Sequence, residues 1–192
     1  MKVVLQHCTN DAINIMAEAA RISHNSKSES KEDNEELLKK IIKWKHWSVL
    51  EHASATFIIS DISRTCSHQL VRHRHLSIVQ ESQRYVTVDD PDFFIIPKSI
   101  EEKLVTKIPY VNCLKSMQET YESLLGAGVP AEDARFLLPN ATKTTMTITG
   151  NFRTWREFIE KRSVKSAQWE IKELAGLIKS ILIKHTKEFL WN

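Results

Sequence analysis

The apolar residues of this chain follow helix spacing in some segments and strand character in others, with no internal repeat. Spacings of three and four positions predict amphipathic helices that carry Met16 and Phe158, and a longer one over about Ala167 to Phe189. β-Branched and aromatic residues predict strands at Lys2–Gln6, Ala53–Ile62, Phe93–Ile96 and Thr142–Thr149. Strands and helices do not alternate regularly, which favours an α+β fold over a parallel α/β fold.

Polar residues mark the expected starts of the helices. Ser30 ends a polar loop over 24–30, and Asp33 completes a capping signal before a helix through Leu38. Further caps are expected at Thr9 or Asn10, at Ser63 and at Ser99. The helix after Ser99 should be interrupted near Pro109 and continue to Leu125.

Length and charge indicate one soluble domain. The chain has 192 residues, enough for one sizeable core, so a single domain over 1–192 is expected. Lys and Arg number 27 against 24 Asp and Glu, a net charge of +3, which is a weak match to a dedicated nucleic-acid binder. There is no apolar run of about 18 residues and no signal-peptide pattern. We therefore expect a cytoplasmic protein, or one of the host cytoplasm if the source is viral, with no membrane partner.

The cysteines and histidines indicate no metal site. The three cysteines are far apart and form no Cys-x-x-Cys pair, which argues against a disulfide framework and against zinc. His46 and His52 flank Glu51 and resemble a pair of metal ligands, but no third ligand cluster accompanies them. No metal is expected.

The densest polar chemistry lies between Arg72 and Tyr85. These fourteen positions hold three arginines, two histidines, two serines and two glutamines. Guanidinium groups offer forked donors that suit phosphate and carboxylate oxygens. Cations this close repel one another unless an anion or solvent lies between them. The segment indicates a site for a phosphorylated or other anionic ligand, and a solvated basic patch or a nucleic-acid contact is the alternative.

A helix predicted from Ser63 to about His73 adds cations to this segment. Arg64, His68 and Arg72 are four positions apart and share one helix face. A small nucleic-acid-binding domain is therefore the second function to consider, with phosphate contacts from Arg64, Arg72, Arg74 and Arg84.

Four ordered segments of the chain resemble one enzyme family. The most specific of them is Arg72-His73-Arg74-x-x-Ser77-x-x-x-x-Ser82-x-Arg84, which matches the signature of the flavin-dependent thymidylate synthases. Residues 46–52 (HWSVLEH) and 132–139 (EDARFLLP) are similar to two further elements of that family. Its C-terminal element resembles the block formed by 150–153 (GNFR), Arg162 and 167–171 (AQWEI).

The resemblance implies both an architecture and a reaction. The architecture is a mixed, mostly antiparallel sheet flanked by helices, in a homotetramer with active sites at subunit interfaces. In the reaction, a methylene group passes from methylenetetrahydrofolate to carbon 5 of dUMP and is reduced to a methyl group with hydride from FAD. NADPH is the usual reductant of the flavin. The expected partners are therefore dUMP, the folate and NADPH, with no nucleic acid.

Two sets of site residues follow from positions in the family motifs. The implied dUMP contacts are Gln69, Leu70, Val71, Arg72, Gln80, Glu81, Ser82, Gln83, Arg84, Arg135 and Arg162. The implied FAD contacts are His46, Ser48, Glu51, Arg72, His73, Arg74, His75, Gln80, Asn151, Phe152, Arg153 and Glu157. Ser48 takes the place of a frequent threonine, and Gln80 and Glu157 occupy positions that vary in residue type.

The uracil ring needs activation, because its carbon 5 is a poor nucleophile. One general solution is thiolate addition at carbon 6, but Cys66 lies outside any family catalytic position and is expected to be a buried small hydrophobe. Ser82 has no adjacent base and is assigned to phosphate binding. Arg162 matches the family residue at the uracil edge, where a fixed cation stabilises a developing anion. We expect Arg162 to be the catalytic residue, with no covalent enzyme nucleophile.

Overall fold

The computed structural model describes residues 1–23, 25–28, 30–86 and 93–192, so His24 and Glu29 of the predicted loop lie outside the described residues. The helices are α1 (Ala12–Ile22), α2 (Lys31–Lys43), α3 (Arg64–Leu70), α4 (Lys98–Glu101), α5 (Leu104–Gly126), α6 (Ala131–Ala134), α7 (Phe152–Arg162) and α8 (Trp169–His185). The strands are β1 (Lys2–Cys8), β2 (Ser54–Ser63), β3 (Ser77–Gln80) and β4 (Lys143–Asn151). Short 3-10 segments occur at Trp47–His52, Arg135–Leu137 and Glu188–Leu190.

The strands form one antiparallel sheet in the order β1-β2-β4-β3. Alternate residues of β2 are buried, namely Ala55, Phe57 and Ile59, because successive side chains of a strand point to opposite faces. On the other face, the hydroxyl groups of Thr56 and Thr149 form a hydrogen bond of 2.9 Å. With helices accompanying this sheet, the predicted α+β class is confirmed.

The first of two compact units consists of Met1–Ile59, Gln69–Val79 and Thr147–Asn192. Its core contains Trp155, which contacts Phe57 and Phe158 edge to face with ring centroids 5.1 and 5.9 Å apart. The indole N–H of Trp155 donates to the backbone oxygen of Ala55 at 3.0 Å, so its polar atom is satisfied. Helices α1 and α8 contribute further buried residues: Met16, Ala17, Ile171, Leu174, Ala175, Ile178 and Leu182.

The second compact unit consists of Ser60–His68 and Gln80–Met146. Its core forms around Tyr121 of α5 and Ala134 of α6, both of which are fully buried. Partly buried hydrophobic residues pack against them: Phe93, Leu124, Leu125, Val129, Leu137 and Leu138. That the whole chain forms a single domain over 1–192 stays a prediction.

Two of the predicted helix starts are confirmed and two are wrong. Ser30 accepts from Asp33 N at 3.1 Å and Ser63 accepts from Cys66 N at 3.0 Å, as caps should. Helix α1 instead follows Asp11, which has a φ of 52° and makes no side-chain capping bond. Ser99 lies inside α4, which begins after Pro97.

The break expected at Pro109 is also wrong, because the chain breaks before Leu104 and Pro109 lies inside α5. A proline removes one helical hydrogen bond. The acceptor that this proline leaves free is the backbone oxygen of Val105, a residue that is 80% exposed.

Three strand and helix predictions differ from the structure. Residues 93–96 are half-buried and contribute one isolated bridge, between Phe94 and Thr142, instead of a buried strand. Helix α3 ends at Leu70 and not near His73, because tight turns follow, with His73 N donating to Leu70 O and Leu76 N donating to His73 O. Helix α8 is shorter than predicted at both ends.

Candidate functional site

The segment from Arg72 to His75 begins two residues after the end of α3 and is anchored by its apolar neighbour Leu76. Leu76 is 8% exposed, and a β-carbon on Gly150 would lie 2.6 Å from its Cδ2 atom. Strand β4 therefore approaches Leu76 this closely because Gly150 has no side chain. His73 is half-buried, whereas Arg72, Arg74 and His75 are exposed. Three of the four polar side chains of the motif thus remain accessible to a ligand.

Arg162, the last residue of α7, is held by neutral acceptors. Its Nε donates to Nε2 of His73 at 3.0 Å. Its Nη1 donates to Oε1 of Gln69 at 3.5 Å, and its Nη2 donates to the Gln69 backbone oxygen at 3.4 Å. Among the described residues, no carboxylate forms an ion pair with Arg162. Its positive charge is therefore available to stabilise an anion.

His73 accepts this hydrogen bond because its ring is uncharged at neutral pH. The imidazole contacts Phe158 edge to face, with centroids 5.0 Å apart. Burial is the main cause that lowers the pKa of His73 to about 4, and the cations Arg162 and Lys161 lower it further while Glu157 opposes them. The sequence motif predicted His73 as a flavin contact and gave no sign of this bond to Arg162.

At the other end of α7, Arg153 lies between two carboxylates. Its Nη1 donates to Oε1 of Glu51 at 2.7 Å, and its Nε donates to Oε1 of Glu157 at 3.1 Å. These hydrogen bonds raise the pKa of Arg153. The three side chains are 40–44% exposed, so each pair stabilises the fold by at most about 1 kcal/mol. The pairs orient these groups more than they stabilise the protein.

A pocket of about 340 Å³ contains this ion-pair group. Its lining residues are Glu51, His75, Asn151, Arg153, Thr154 and Glu157. Asn151 also caps α7, because its Oδ1 accepts from both the backbone N and the hydroxyl of Thr154 at 2.9 Å. All of the lining residues except Thr154 belong to the set that the family resemblance implies for FAD. His46 and Ser48 of that set are exposed and do not line this pocket.

The second unit gathers several of the residues implied for dUMP. Nε2 of Gln80 donates to the hydroxyls of Ser67 at 3.0 Å and Thr144 at 3.1 Å. Both amide hydrogens of Gln80 are thereby used, which leaves its carbonyl oxygen as the group that can meet a ligand. Glu81 extends the hydrogen bonding between β3 and β4, because its backbone N donates to the backbone oxygen of Thr145 at 2.9 Å.

Glu132 connects two of the arginines implied for dUMP and was missed by the sequence analysis. Its carboxylate lies 2.8 Å from Nη2 of Arg84, and its backbone oxygen accepts from Nε of Arg135 at 3.0 Å. The available signal was the position of Glu132 within the EDARFLLP element, one helical turn before Arg135.

Arg64 is a second residue that the predicted site omitted. Its Nη2 donates to the backbone oxygen of Glu81 at 3.0 Å, while its Nε is buried without a hydrogen-bond partner among the described residues. Burial, and then repulsion from Arg135, lower the pKa of Arg64, and attraction to Glu81 opposes that change. Two cations near each other favour an anion nearby. The helical spacing of Arg64 and Arg72 was the signal, and it was assigned to the nucleic-acid alternative.

Two of the implied contacts belong to the core. Leu70 and Phe152 are 0% exposed. Val71, by contrast, is 44% exposed. The hydroxyl of Ser82 accepts from Arg84 N at 3.3 Å, and Gln83 is half-buried beside it in the chain.

Two of the three thiols, those of Cys66 and Cys8, are poorly placed for nucleophilic chemistry. Cys66 is fully buried, and burial raises the pKa of the Cys8 thiol. Cys113 is exposed on α5. A thiol that is buried or has a raised pKa forms little thiolate.

Within the described residues, no group of three or more His, Cys, Asp or Glu side chains could hold a metal ion. The described helices include none that is long and apolar enough to cross a membrane.

The chain is similar to known proteins over nearly its whole length. The family model described as "Thymidylate synthase complementing protein" matches residues 4–186. The chain belongs to this family. The flavin-dependent thymidylate synthase of Geobacter sulfurreducens is 42% identical to it over 183 residues, which cover 91% of the chain and 79% of that relative. The same enzyme of Pyrococcus furiosus is 43% identical over 152 residues, which cover 76% of the chain and 61% of that relative.

Solved structures of this family share the fold. The crystal structure of the flavin-dependent thymidylate synthase of Helicobacter pylori, complexed with FAD and dUMP, superposes with a TM-score of 0.82. It is 23% identical, and the match covers 99% of the chain and 98% of that structure. The resemblance indicated by the motifs, and the prediction of a flavin-dependent thymidylate synthase, are confirmed.

Proposed function

We propose that this member of the family converts dUMP to dTMP. It takes a methylene group from methylenetetrahydrofolate and uses FAD to carry hydride from NADPH. One observation carries the proposal: of the six residues that line the pocket at the start of α7, five are those that the family motifs imply for FAD. Those five come from three separate sequence segments, and the fold of the first unit brings them to one pocket.

The chemistry of these residues fits FAD. Glu51 and Glu157 can accept hydrogen bonds from ribityl or ribose hydroxyls, and the Asn151 amide suits a ring edge. Arg72 and Arg74 are exposed cations in the neighbouring motif and would meet the diphosphate. When bound, FAD supplies the hydride chemistry. The chain itself binds and orients the flavin.

Arg162 is the proposed catalytic residue. Its guanidinium is held by His73 and Gln69, and no described carboxylate pairs with it, so it would favour the ionised form of the uracil ring. A fixed cation of this kind can stabilise a transition state by about 3 to 4 kcal/mol. The burial of Cys66 supports a reaction without a covalent enzyme nucleophile.

The phosphate of dUMP is assigned to a group of donors around Arg84. Arg84, Arg135 and the hydroxyl of Ser82 provide donors that suit a phosphate monoester. The Arg84 guanidinium pairs with the Glu132 carboxylate, so a bound phosphate would replace one anionic partner with another. The proposed assembly is a homotetramer with active sites at subunit interfaces, and the proposed setting is the cytoplasm.

The test is to purify the protein, add FAD and measure dTMP. We expect a yellow protein whose flavin absorbance is bleached by NADPH. It should form dTMP from dUMP when methylenetetrahydrofolate is present, as followed by chromatography of the nucleotides. Arg162→Ala should retain flavin and lose dTMP formation. The mass of the particle in solution tests the tetramer.

Other results would refute the proposal. A colourless protein that cannot be loaded with FAD would contradict it. So would steep, salt-dependent affinity for duplex DNA without dTMP formation, because that behaviour is typical of a phosphate-binding nucleic-acid domain.

A further inference from the structure

We propose that Gln168 is a positioning residue that fixes the orientation of the Gln69 amide and, through it, the place of Arg162. The proposal rests on the proposed function, in which Gln69 and Arg162 contact dUMP. Gln168 was not among the predicted site residues, although it lies in the 167–171 segment. It acts through other side chains and needs no contact with the substrate.

Helix α8 dictates which way the Gln168 amide points. Its Oε1 accepts from the backbone N atoms of Glu170 and Ile171, both at 3.1 Å. The first N–H groups of a helix have no acceptor within the helix, and they can only donate. The oxygen end of the amide must therefore face the helix, and the flipped amide would place N–H against N–H. The orientation of Gln168 is thus fixed by the backbone.

The same oxygen then fixes Gln69. Oε1 of Gln168 accepts from Nε2 of Gln69 at 3.4 Å. With its donor end turned toward Gln168, Gln69 presents its Oε1 to Nη1 of Arg162 at 3.5 Å. In the flipped orientation the Gln69 amino group would face a guanidinium, which has only donors, and both contacts would be lost.

Arg162 is consequently held on two sides. His73 accepts from Nε, and the amide and backbone oxygens of Gln69 accept from the two terminal nitrogens. A guanidinium has about five N–H donors in a rigid fork, so those that remain keep a fixed direction toward a ligand. An unoriented Gln69 would leave Arg162 with His73 and one backbone oxygen.

The experiment separates capping of α8 from orientation of Gln69. Gln168→Ser keeps a strong N-cap but is too short to reach Gln69, and Gln168→Glu keeps an acceptor at the original reach. With FAD-loaded protein and dUMP as the titrant, calorimetry should show binding roughly 3- to 10-fold weaker for the serine variant, the effect of about one hydrogen bond. The glutamate variant should stay within about twofold of wild type, and both should melt near the wild-type temperature.

The matched control is a cap away from the site. Ser30 caps α2 by accepting from Asp33 N at 3.1 Å, so Ser30→Ala removes a bond of the same kind. It should lower the melting temperature and leave dUMP affinity unchanged. Equal weakening of dUMP binding by Ser30→Ala and Gln168→Ser would show a merely structural role and overturn the proposal. If Gln168→Ser does not fold, Gln168→Asp provides another short N-cap residue for the same test.

A double-mutant cycle tests whether Gln168 acts through Gln69. In a Gln69→Ala background, Gln168→Ser should cause no further loss of dUMP affinity, because the group it orients is gone. The proposed role of Gln168 would be refuted if the losses of dUMP affinity from Gln69→Ala and Gln168→Ser were additive. It would also be refuted if Gln168→Ser bound dUMP with wild-type affinity. Neither result would contradict the proposed function. If wild-type protein loaded with FAD binds no dUMP, the proposed function fails, and this inference fails with it.

Discussion

Helix α7 carries an arginine near each end, and the two arginines are held in opposite ways. Arg153 lies between the carboxylates of Glu51 and Glu157, whereas Arg162 lies between the neutral side chains of His73 and Gln69. A cation between two carboxylates presents no net positive charge, and a cation held by neutral acceptors keeps its own. One end of α7 is therefore suited to orienting a ligand and the other to attracting an anion.

The helix itself supports this division. The start of an α-helix carries partial positive charge and its end partial negative charge. Arg153 lies in the first turn of α7, where this partial charge disfavours a lone cation, and Arg162 lies in the last turn, where it favours one. The same fold element thus explains why Arg153 has acidic partners and why Arg162 can remain without them.

The largest expected effect is that of Arg162→Ala. Removing this cation should lower kcat/KM for dUMP by roughly 100- to 1000-fold, the effect of losing one well-placed donor to a developing anion. Arg162→Lys should recover part of the loss, because an ammonium keeps the charge without the forked geometry. Rates of dTMP formation at saturating FAD give the comparison. Full turnover by Arg162→Ala, together with loss in Cys66→Ala, would indicate thiolate chemistry instead.

Arg153→Ala should affect the flavin more than the turnover. The change leaves the two carboxylates of Glu51 and Glu157 unpaired in the pocket, and we expect FAD to bind roughly tenfold more weakly. Titration of flavin fluorescence measures this, with Arg153→Lys as the control that keeps the charge. If Arg153→Ala abolished turnover at saturating FAD as Arg162→Ala does, the contrast between the two ends of α7 would be wrong.

The packing just before α7 should tolerate little change. In Gly150→Ala, the new β-carbon would meet Leu76 at 2.6 Å and Trp155 at 3.3 Å. Overpacking of this kind lowers stability by about 1 to 3 kcal/mol, which denaturant unfolding would measure. Gly176→Ala in α8 is the control, since nothing lies within 4 Å of its new carbon. That change should stabilise the helix by about 0.5 to 1 kcal/mol.

The smallest expected effect is a pH dependence from His73. Its folded pKa of about 4 lies below its ordinary 6.5, so between these values the unfolded chain binds the proton more tightly. Stability from this group is therefore complete above pH 6.5 and is lost as the pH falls toward about 4. Unfolding of wild type and His73→Gln at pH 7 and pH 5 tests this. If both proteins lost the same free energy of unfolding between pH 7 and pH 5, His73 would not be the source of the pH dependence.

Much of the fold could be predicted from the sequence because its elements carry periodic apolar residues or well-defined capping residues. Helix α7, strand β2 and the cap at Ser30 are examples, since each depends on neighbours within a few positions. The prediction for Phe93–Ile96 failed because a short apolar run fits a half-buried loop as well as a strand. Strand β3 was missed because four residues of mixed polarity carry too little pattern.

The site was predictable as a set of residues and not as a set of contacts. The motif match supplied Arg162, His73 and Gln69 separately. Arg162 lies 89 positions from His73 and 93 from Gln69, and only the folded chain shows that it bonds to both. Glu132, Arg64 and Gln168 were omitted for the same reason. Their roles depend on what lies opposite them in space.

The bond between Arg162 and His73 also determines the tautomer of the imidazole. A guanidinium can only donate, so Nε2 must be bare and the remaining proton of the neutral ring sits on Nδ1. His73 therefore meets any ligand as a donor, and so does Arg162. A ligand edge that carries carbonyl or phosphate oxygens satisfies both residues, and an edge that carries amino hydrogens satisfies neither.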